Sequence, residues 1–148
     1  MLKAFSSTPF YSKYVTLPSC TAPVPPEIAG NSKFFPYFKD ILGALDGTHL
    51  PCLPLQADRE NCRNRKGILS TNCLAVCSFD MRFLYVLNGW EGSASDATVF
   101  NDARAHDFRI PPGRQYLADA GYFSCAELLI LYRGVRYHLA EWARGDLR

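Results

Sequence analysis

This sequence contains no long apolar run. Its amino terminus lacks the continuous apolar stretch of a signal peptide, and no later run approaches the roughly 18 to 20 apolar residues of a membrane-spanning helix. An excess of charge of one sign is also missing, since 16 basic and 14 acidic residues give a net charge of +2. We therefore predict an intracellular protein, nuclear or cytoplasmic, without a membrane partner. A total charge this small does not by itself establish a nucleic-acid partner.

Cysteine occurs six times, but without the pattern of a disulfide framework or of a zinc site. In the absence of a secretory signal, we expect reduced and mostly buried thiols and no disulfide. Cys73 and Cys77 have three residues between them inside an apolar run, and no second tight pair or nearby histidine completes a zinc set. A small zinc-binding protein is therefore the least favoured interpretation.

The composition is that of one folded domain. Of 148 residues, 48% are hydrophobic and 20% are charged, which is close to the average for globular proteins. Residues 1–37 are rich in proline, serine and aromatic side chains, and predict an extended segment with a short helix that begins at Pro26. Residues 38–148 would form the domain itself.

Within this domain, two short apolar strands each end at an aspartate. Asp46 follows Ile41–Leu45, and Asp119 follows Gln115–Ala118. Between them, the pattern predicts a hairpin and then a helix that begins at Ser95; a second helix would follow Asp119. The predicted hairpin strands are Thr71–Phe79 and Arg82–Trp90, and the predicted helices are Asp96–Ala105 and Ser124–Leu131.

This order of elements predicts an α/β fold with a mixed sheet and flanking helices. The antiparallel hairpin would extend the first strand, and the helix would cross to a parallel fourth strand. An RNase H-like arrangement meets these conditions and would place Asp46 beside Asp119. Two such carboxylates suit Mg²⁺ or Mn²⁺, which prefer oxygen ligands and can hydrolyse a phosphodiester. The alternative is that each Asp-Gly or Asp-Ala-Gly segment simply forms a turn.

Five blocks of this sequence, in order, resemble the DDE superfamily endonucleases of PIF/Harbinger transposable elements. The resemblance extends from about Pro25 to Trp142. The blocks are Ala44–His49, Asn64–Gly67, Gly89–Asp96, Leu117–Tyr122 and Tyr132–Tyr137. The resemblance implies the catalytic core of a divalent-metal-dependent endonuclease or transposase that acts on DNA.

The resemblance also assigns roles to particular residues. Asp46 corresponds to the first catalytic, metal-binding aspartate and Asp119 to the second. Asp96 corresponds to an auxiliary metal ligand or orienting group, although Ser95 stands where the family usually has histidine. Asp96 could instead only stabilise the helix N-terminus. His49 could orient a carboxylate or water, or serve as a packing or turn residue.

The third catalytic residue of the family is a glutamate on a later helix. Glu127 and Glu141 do not stand in the corresponding sequence context, so the C-terminal catalytic helix is expected to be missing. Cleavage would then be impaired, because the ligands of such a site act as a unit. The apolar surface left exposed could seek a protein partner or a second copy of the chain.

Basic residues are candidates for contact with DNA phosphates. They are Arg59, Arg63, Arg65 and Lys66 in a polar loop, and Arg133, Arg136, Arg144 and Arg148 in the tail. For any single one of these residues, a solvated charged face is the favoured explanation. The second functional hypothesis is a non-catalytic remnant of a transposase that binds DNA or a protein.

Overall fold

A mixed five-stranded sheet organises the protein, for which the computed structural model describes residues 9–132. The strand order is β3-β2-β1-β4-β5; β1 pairs antiparallel with β2, β2 antiparallel with β3, and β1 and β5 lie parallel to β4. The predicted α/β fold is confirmed, and the sheet is compatible with an RNase H-like arrangement. The strands are β1 Ile41–Pro51, β2 Ser70–Cys77, β3 Phe83–Glu91, β4 Gln115–Ala118 and β5 Leu128–Ile130.

Helices within residues 9–132 are few and mostly short. They are α1 Phe10–Tyr14, α2 Pro26–Ala29 and α3 Asp96–His106, with a 3-10 turn at Gln56–Asp58. The predicted start of α3 is confirmed, because Ser95 is its N-cap and the Ser95 side chain accepts a hydrogen bond from the Thr98 backbone N–H. Satisfying an otherwise unpaired amide fixes where this helix begins.

The core lies between α3 and one face of the sheet. Phe100 of α3 and Phe108 just after it are buried, and they contact tyrosines on both sides of the sheet's centre. The ring of Phe108 lies 4.9 Å from that of Tyr85 on β3 and 5.5 Å from that of Tyr116 on β4. Phe100 meets Tyr122 edge-on at 5.9 Å. These large rings therefore bind α3 to both halves of the sheet.

The amino-terminal segment packs on the sheet domain. The Tyr11 hydroxyl donates to the Val86 carbonyl at 3.4 Å, and Arg114 Nη1 donates to the Ala22 carbonyl at 2.9 Å. Leu17 and Ala22 are packed against the core. The described part of residues 1–37 thus contributes to the same folded body.

The first strand is longer than the sequence predicts. We expected it to end at Leu45, but β1 continues to Pro51 because it keeps pairing with β2 as far as the Pro51–Ser70 pair. Asp46 therefore lies inside β1. It does, however, lie beyond the last residue of β1 that pairs with β4, which is Ala44.

The helix predicted at Ser124–Leu131 is wrong. Residues Leu128–Ile130 form β5, which pairs in parallel with β4 through Tyr116–Leu128 and Ala118–Ile130. The Tyr116 backbone N–H also donates to the Glu127 carbonyl at 3.0 Å. A short apolar run does not distinguish helix from strand by periodicity, so pairing with β4 decides the outcome.

All six cysteines are free thiols. None of the helices within residues 9–132 combines the length and the apolar character needed to cross a membrane. The expected absence of a C-terminal catalytic helix concerns the chain after Tyr132, which lies outside the described residues.

Candidate active site

Asp46 on β1 and Asp119 directly after β4 lie at corresponding positions along these two parallel, paired strands. Ala44 of β1 pairs with Leu117 of β4, and each aspartate follows two residues after its member of this pair. Because parallel strands run in the same direction, both carboxylates reach the same end of the sheet. The sequence-based expectation that the two aspartates meet is correct, although Asp46 reaches this position from within a strand.

The backbone next to each aspartate holds one carboxylate oxygen in a similar way. The Gly47 N–H donates to Asp46 Oδ1 at 2.8 Å, and the Gly121 N–H donates to Asp119 Oδ1 at 2.8 Å. Both aspartates are exposed to solvent. They stand at a surface groove of about 540 Å³ that is otherwise largely apolar, with Leu117 among its lining residues.

The electrostatic surroundings of the pair are unfavourable to negative charge. Partial burial raises the pKa of Asp46, and the charges of Asp119 and then Asp96 raise it further, against the opposing effect of the Gly47 N–H. Burial also raises the pKa of Tyr122, and the negative charges of Asp96, Asp46 and Asp119 add to this effect. A cation bound near the two exposed carboxylates would relieve this repulsion.

Asp96, the first residue of α3, lies on the helix-covered side of β1. Asp96 Oδ1 accepts a hydrogen bond from Asn72 Nδ2 at 2.8 Å, and a Cβ added to Gly47 would stand 2.1 Å from the same oxygen. Side chains alternate along a strand, so Gly47 facing α3 turns Asp46 towards the opposite side. Asp96 is therefore close to the pair electrostatically but separated from it by the backbone of β1.

This separation limits how a metal ion would be held. Within residues 9–132, no three His, Cys, Asp or Glu side chains are grouped so that they could hold a metal ion. Asp46 and Asp119 fit the donor chemistry of Mg²⁺ or Mn²⁺ as a pair, since both are exposed carboxylates. The described residues thus offer two ligands, and Asp96 stays a prediction as a third.

Three other predicted residues, His49, Arg65 and Lys66, line a second cavity, which we call the basic pocket. It has a volume of about 380 Å³ and is lined by residues that include His49, Asn64, Arg65, Lys66, Ser93 and Asp96. His49 Nδ1 lies within hydrogen-bond distance of Ser70 Oγ, at 3.2 Å. The structure therefore places His49 in the same cavity as Arg65 and Lys66.

Arg59 and Arg63, the other basic candidates within residues 9–132, are not among the lining residues of this pocket. Arg63 is bound to Glu60 at 3.5 Å, and its Nη1 donates to the Gly67 carbonyl at 3.1 Å. Arg59 is exposed at the end of the 3-10 turn. The predicted contacts of Arg133, Arg136, Arg144 and Arg148 lie outside the described residues.

Glu127 already has a partner. Arg104 Nη2 on α3 donates to Glu127 Oε1 at 2.6 Å, and both side chains are about one-third exposed. This contact ties α3 to the segment before β5, which is a structural role. Glu141, the other late glutamate, lies outside the described residues.

Sequence reasoning did not single out Asn72 or Tyr122. Asn72 is fully buried, and its Nδ2 also donates to the Ala94 carbonyl at 3.0 Å, so it holds the start of α3 against β2. A lone amide inside the apolar strand Ser70–Cys77 was the available signal, because buried polar groups need partners. The sequence carries no comparable signal for Tyr122, because a tyrosine after Asp-Ala-Gly is equally typical of a turn.

Comparisons with known proteins agree with this geometry. A family model described as DDE superfamily endonuclease matches residues 45–144, which is more than half of the chain. The chain therefore belongs to the DDE superfamily endonucleases, and the resemblance seen in the sequence is confirmed. This match includes Asp46, Asp96 and Asp119.

Two curated proteins are similar to part of this chain. The rat protein named "Putative nuclease HARBI1" is 29% identical over 86 residues, which cover 56% of this chain and 25% of the relative. The mouse protein of the same name is 28% identical over 92 residues, with 60% and 26% covered. The chain thus spans about a quarter of the length of these relatives. No solved structure matches.

Proposed function

We propose that this chain is the catalytic core of a divalent-metal-dependent endonuclease or transposase that cleaves DNA phosphodiester bonds. The observation that carries the proposal is that Asp46 and Asp119 each follow by two residues the paired residues Ala44 of β1 and Leu117 of β4, on parallel strands. Family membership supports a nuclease-type reaction. A DNA substrate would in turn favour a nuclear location.

Asp46 and Asp119 would bind Mg²⁺ or Mn²⁺. In each carboxylate, the hydrogen bond from a glycine N–H fixes Oδ1 and thereby restricts rotation of the side chain. A site arranged before binding loses less entropy when the ligand arrives. When bound, a divalent ion supplies Lewis acidity and an activated oxygen nucleophile.

Asp96 would act on the site indirectly. Its bond to Asn72 and its close packing on Gly47 fix the path of β1 directly after Asp46. Its negative charge also contributes to the potential that attracts a cation, as the raised pKa of Asp46 indicates. Asp96 is therefore an orienting group in this proposal, and an auxiliary ligand only if the site rearranges when metal binds.

Calorimetric titration of Mn²⁺ and Mg²⁺ tests the metal site. The parent chain is compared with an Asp46→Asn, Asp119→Asn variant and with a control variant, Glu27→Gln, Asp58→Asn, which also removes two exposed carboxylates. We expect binding to be lost only in the Asp46, Asp119 variant. Equal binding by a folded Asp46, Asp119 variant, or no binding by the folded parent, contradicts the proposal.

A non-catalytic DNA-binding module is the second candidate function. It is favoured by one observation, which is that residues 9–132 contain no complete three-ligand group for a metal ion. A plasmid-nicking assay with Mn²⁺ discriminates the two. Nicking that disappears in the Asp46, Asp119 variant supports the enzyme, whereas DNA binding without nicking supports the binding module, alone or with a protein partner.

A further inference from the structure

The basic pocket is a built feature of the loop before β2. Asn64 Oδ1 accepts hydrogen bonds from the Lys66 N–H at 2.9 Å and the Ile68 N–H at 3.0 Å, and the Gly67 N–H donates to the Asn64 carbonyl at 2.8 Å. Gly67 has a φ of 76°, a value that favours glycine. This tight turn fixes the backbone that carries Arg65 and Lys66.

The two cations at the tip of this turn are not neutralised by the protein. Arg63, Arg82 and Arg104 each pair with a carboxylate. Within residues 9–132, no ion pair involves Arg65 or Lys66. An exposed cation that has no protein partner is available to an anionic ligand.

The neutral donors and the single acid of the pocket are compatible with an anion. His49, Asn64 and Ser93 line it beside the two cations, and the N-terminus of α3 opens onto it at Ser95 and Asp96. The Asp96 carboxylate accepts a hydrogen bond from the buried Asn72, so part of its charge is offset on the inner side. The positive end of the α3 dipole adds to the attraction.

The position of the pocket relates it to the two aspartates. His49 lies three residues beyond Asp46 on β1, about 10 Å along an extended strand, and because side chains alternate it lies with Gly47 on the α3 side of β1, opposite to Asp46. Beyond Ala44, β1 no longer pairs with β4, and Asp46, Thr48 and His49 are exposed, so both sides of this part of the strand face solvent.

We propose that the basic pocket binds a backbone phosphate of the DNA substrate through Arg65 and Lys66, on the side of β1 opposite to the two aspartates. This inference rests on the proposed function for its substrate. It makes the loop that carries Arg65 and Lys66 a positioning element, because phosphate contacts fix the register of DNA without reading its sequence. Arg63 and Arg59 have no such role.

The test measures DNA binding without metal. A fluorescein-labelled 20-base-pair duplex is titrated in EDTA at several KCl concentrations, with the parent, with Arg65→Gln, Lys66→Gln, and with a control of equal net charge, Lys13→Gln, Lys33→Gln. Each lost phosphate contact reduces the slope of log K against log salt by about 0.9. For two contacts we expect a reduction of about 1.8 and, at 0.1 M KCl, binding that is about 60-fold weaker.

Two results would overturn the inference. One is an unchanged slope in the Arg65, Lys66 variant; the other is an equal loss in both variants, which would reflect net charge alone. A matched RNA duplex is included, and a variant effect confined to RNA also contradicts the assignment. Circular dichroism checks folding, and the single variant Lys66→Gln provides an independent reduction of about 0.9.

Failure of this inference is distinguishable from failure of the proposed function. The Asp46→Asn, Asp119→Asn variant should bind DNA in EDTA with the slope of the parent, since neither residue lines the basic pocket. Metal titration of the Arg65, Lys66 variant should match the parent. If the parent binds no metal ion but the Arg65, Lys66 variant has a reduced salt slope, only the enzyme proposal fails. If the parent binds metal but the Arg65, Lys66 variant keeps the salt slope of the parent, only the phosphate-pocket inference fails.

Discussion

Replacing Gly47 by alanine should destabilise the protein strongly. The added Cβ would stand 2.1 Å from Asp96 Oδ1 and 2.4 Å from Asp96 Cγ, so the Asp96 side chain must move. Overpacking of this kind costs about 1 to 3 kcal/mol. Movement would also break the 2.8 Å bond from Asn72, and a hydrogen bond to a charged group contributes about 1.5 to 3 kcal/mol.

The expected loss is therefore about 2.5 to 6 kcal/mol in the free energy of unfolding. This is a large share of the roughly 5 to 15 kcal/mol that a domain usually has. Urea denaturation measures it. Gly121→Ala is the matched control, because its Cβ would stand 3.0 Å from the exposed Asp119 Oδ1, a contact that a small shift of this side chain relieves. We expect the control to cost less than about 1 kcal/mol.

A double-mutant cycle isolates the contact itself. Asp96→Ala removes Oδ1 and Cγ, so Gly47→Ala should cost at least about 1 kcal/mol less in that background than in the parent. If the two costs simply add, the clash with Asp96 is not the cause. If Gly47→Ala alone is too unstable to purify, the comparison of the double variant with Asp96→Ala remains. The double variant should then fold with a stability close to that of Asp96→Ala, because it avoids the clash.

Two further predictions concern α3. Ser95→Ala removes the hydrogen bond to the Thr98 N–H and should cost about 1 kcal/mol in urea denaturation; an unchanged midpoint would exclude a capping role. The pKa of His106 is raised by its hydrogen bond to the Asp102 carbonyl and by the Asp102 carboxylate. Its stabilisation is thus fully present below the usual histidine pKa of about 6.5 and lost as pH rises through the raised value. The stability difference between the parent and His106→Gln should accordingly shrink from pH 5 to 8, and a difference independent of pH would refute this.

Local signals account for the parts of the fold that were predicted correctly. The Ser95 cap, the β4 strand that ends just before Asp119 and the β2–β3 hairpin each depend on residues close together in the chain. Such features follow from capping, strand propensity and turn chemistry, which a sequence displays directly. The order of these elements was then enough to predict a mixed α/β sheet.

The sequence by itself therefore determined the fold class, the family and the two aspartates at the sheet's end. Only the tertiary structure decided how far β1 extends, that Leu128–Ile130 is a strand, and that Asp96 lies across β1 from the pair. It also separated Arg65 and Lys66, which line the basic pocket, from Arg63, which is bound to Glu60. Each of these outcomes depends on partners distant in the chain, and a short segment carries no record of which distant strand or side chain it will meet.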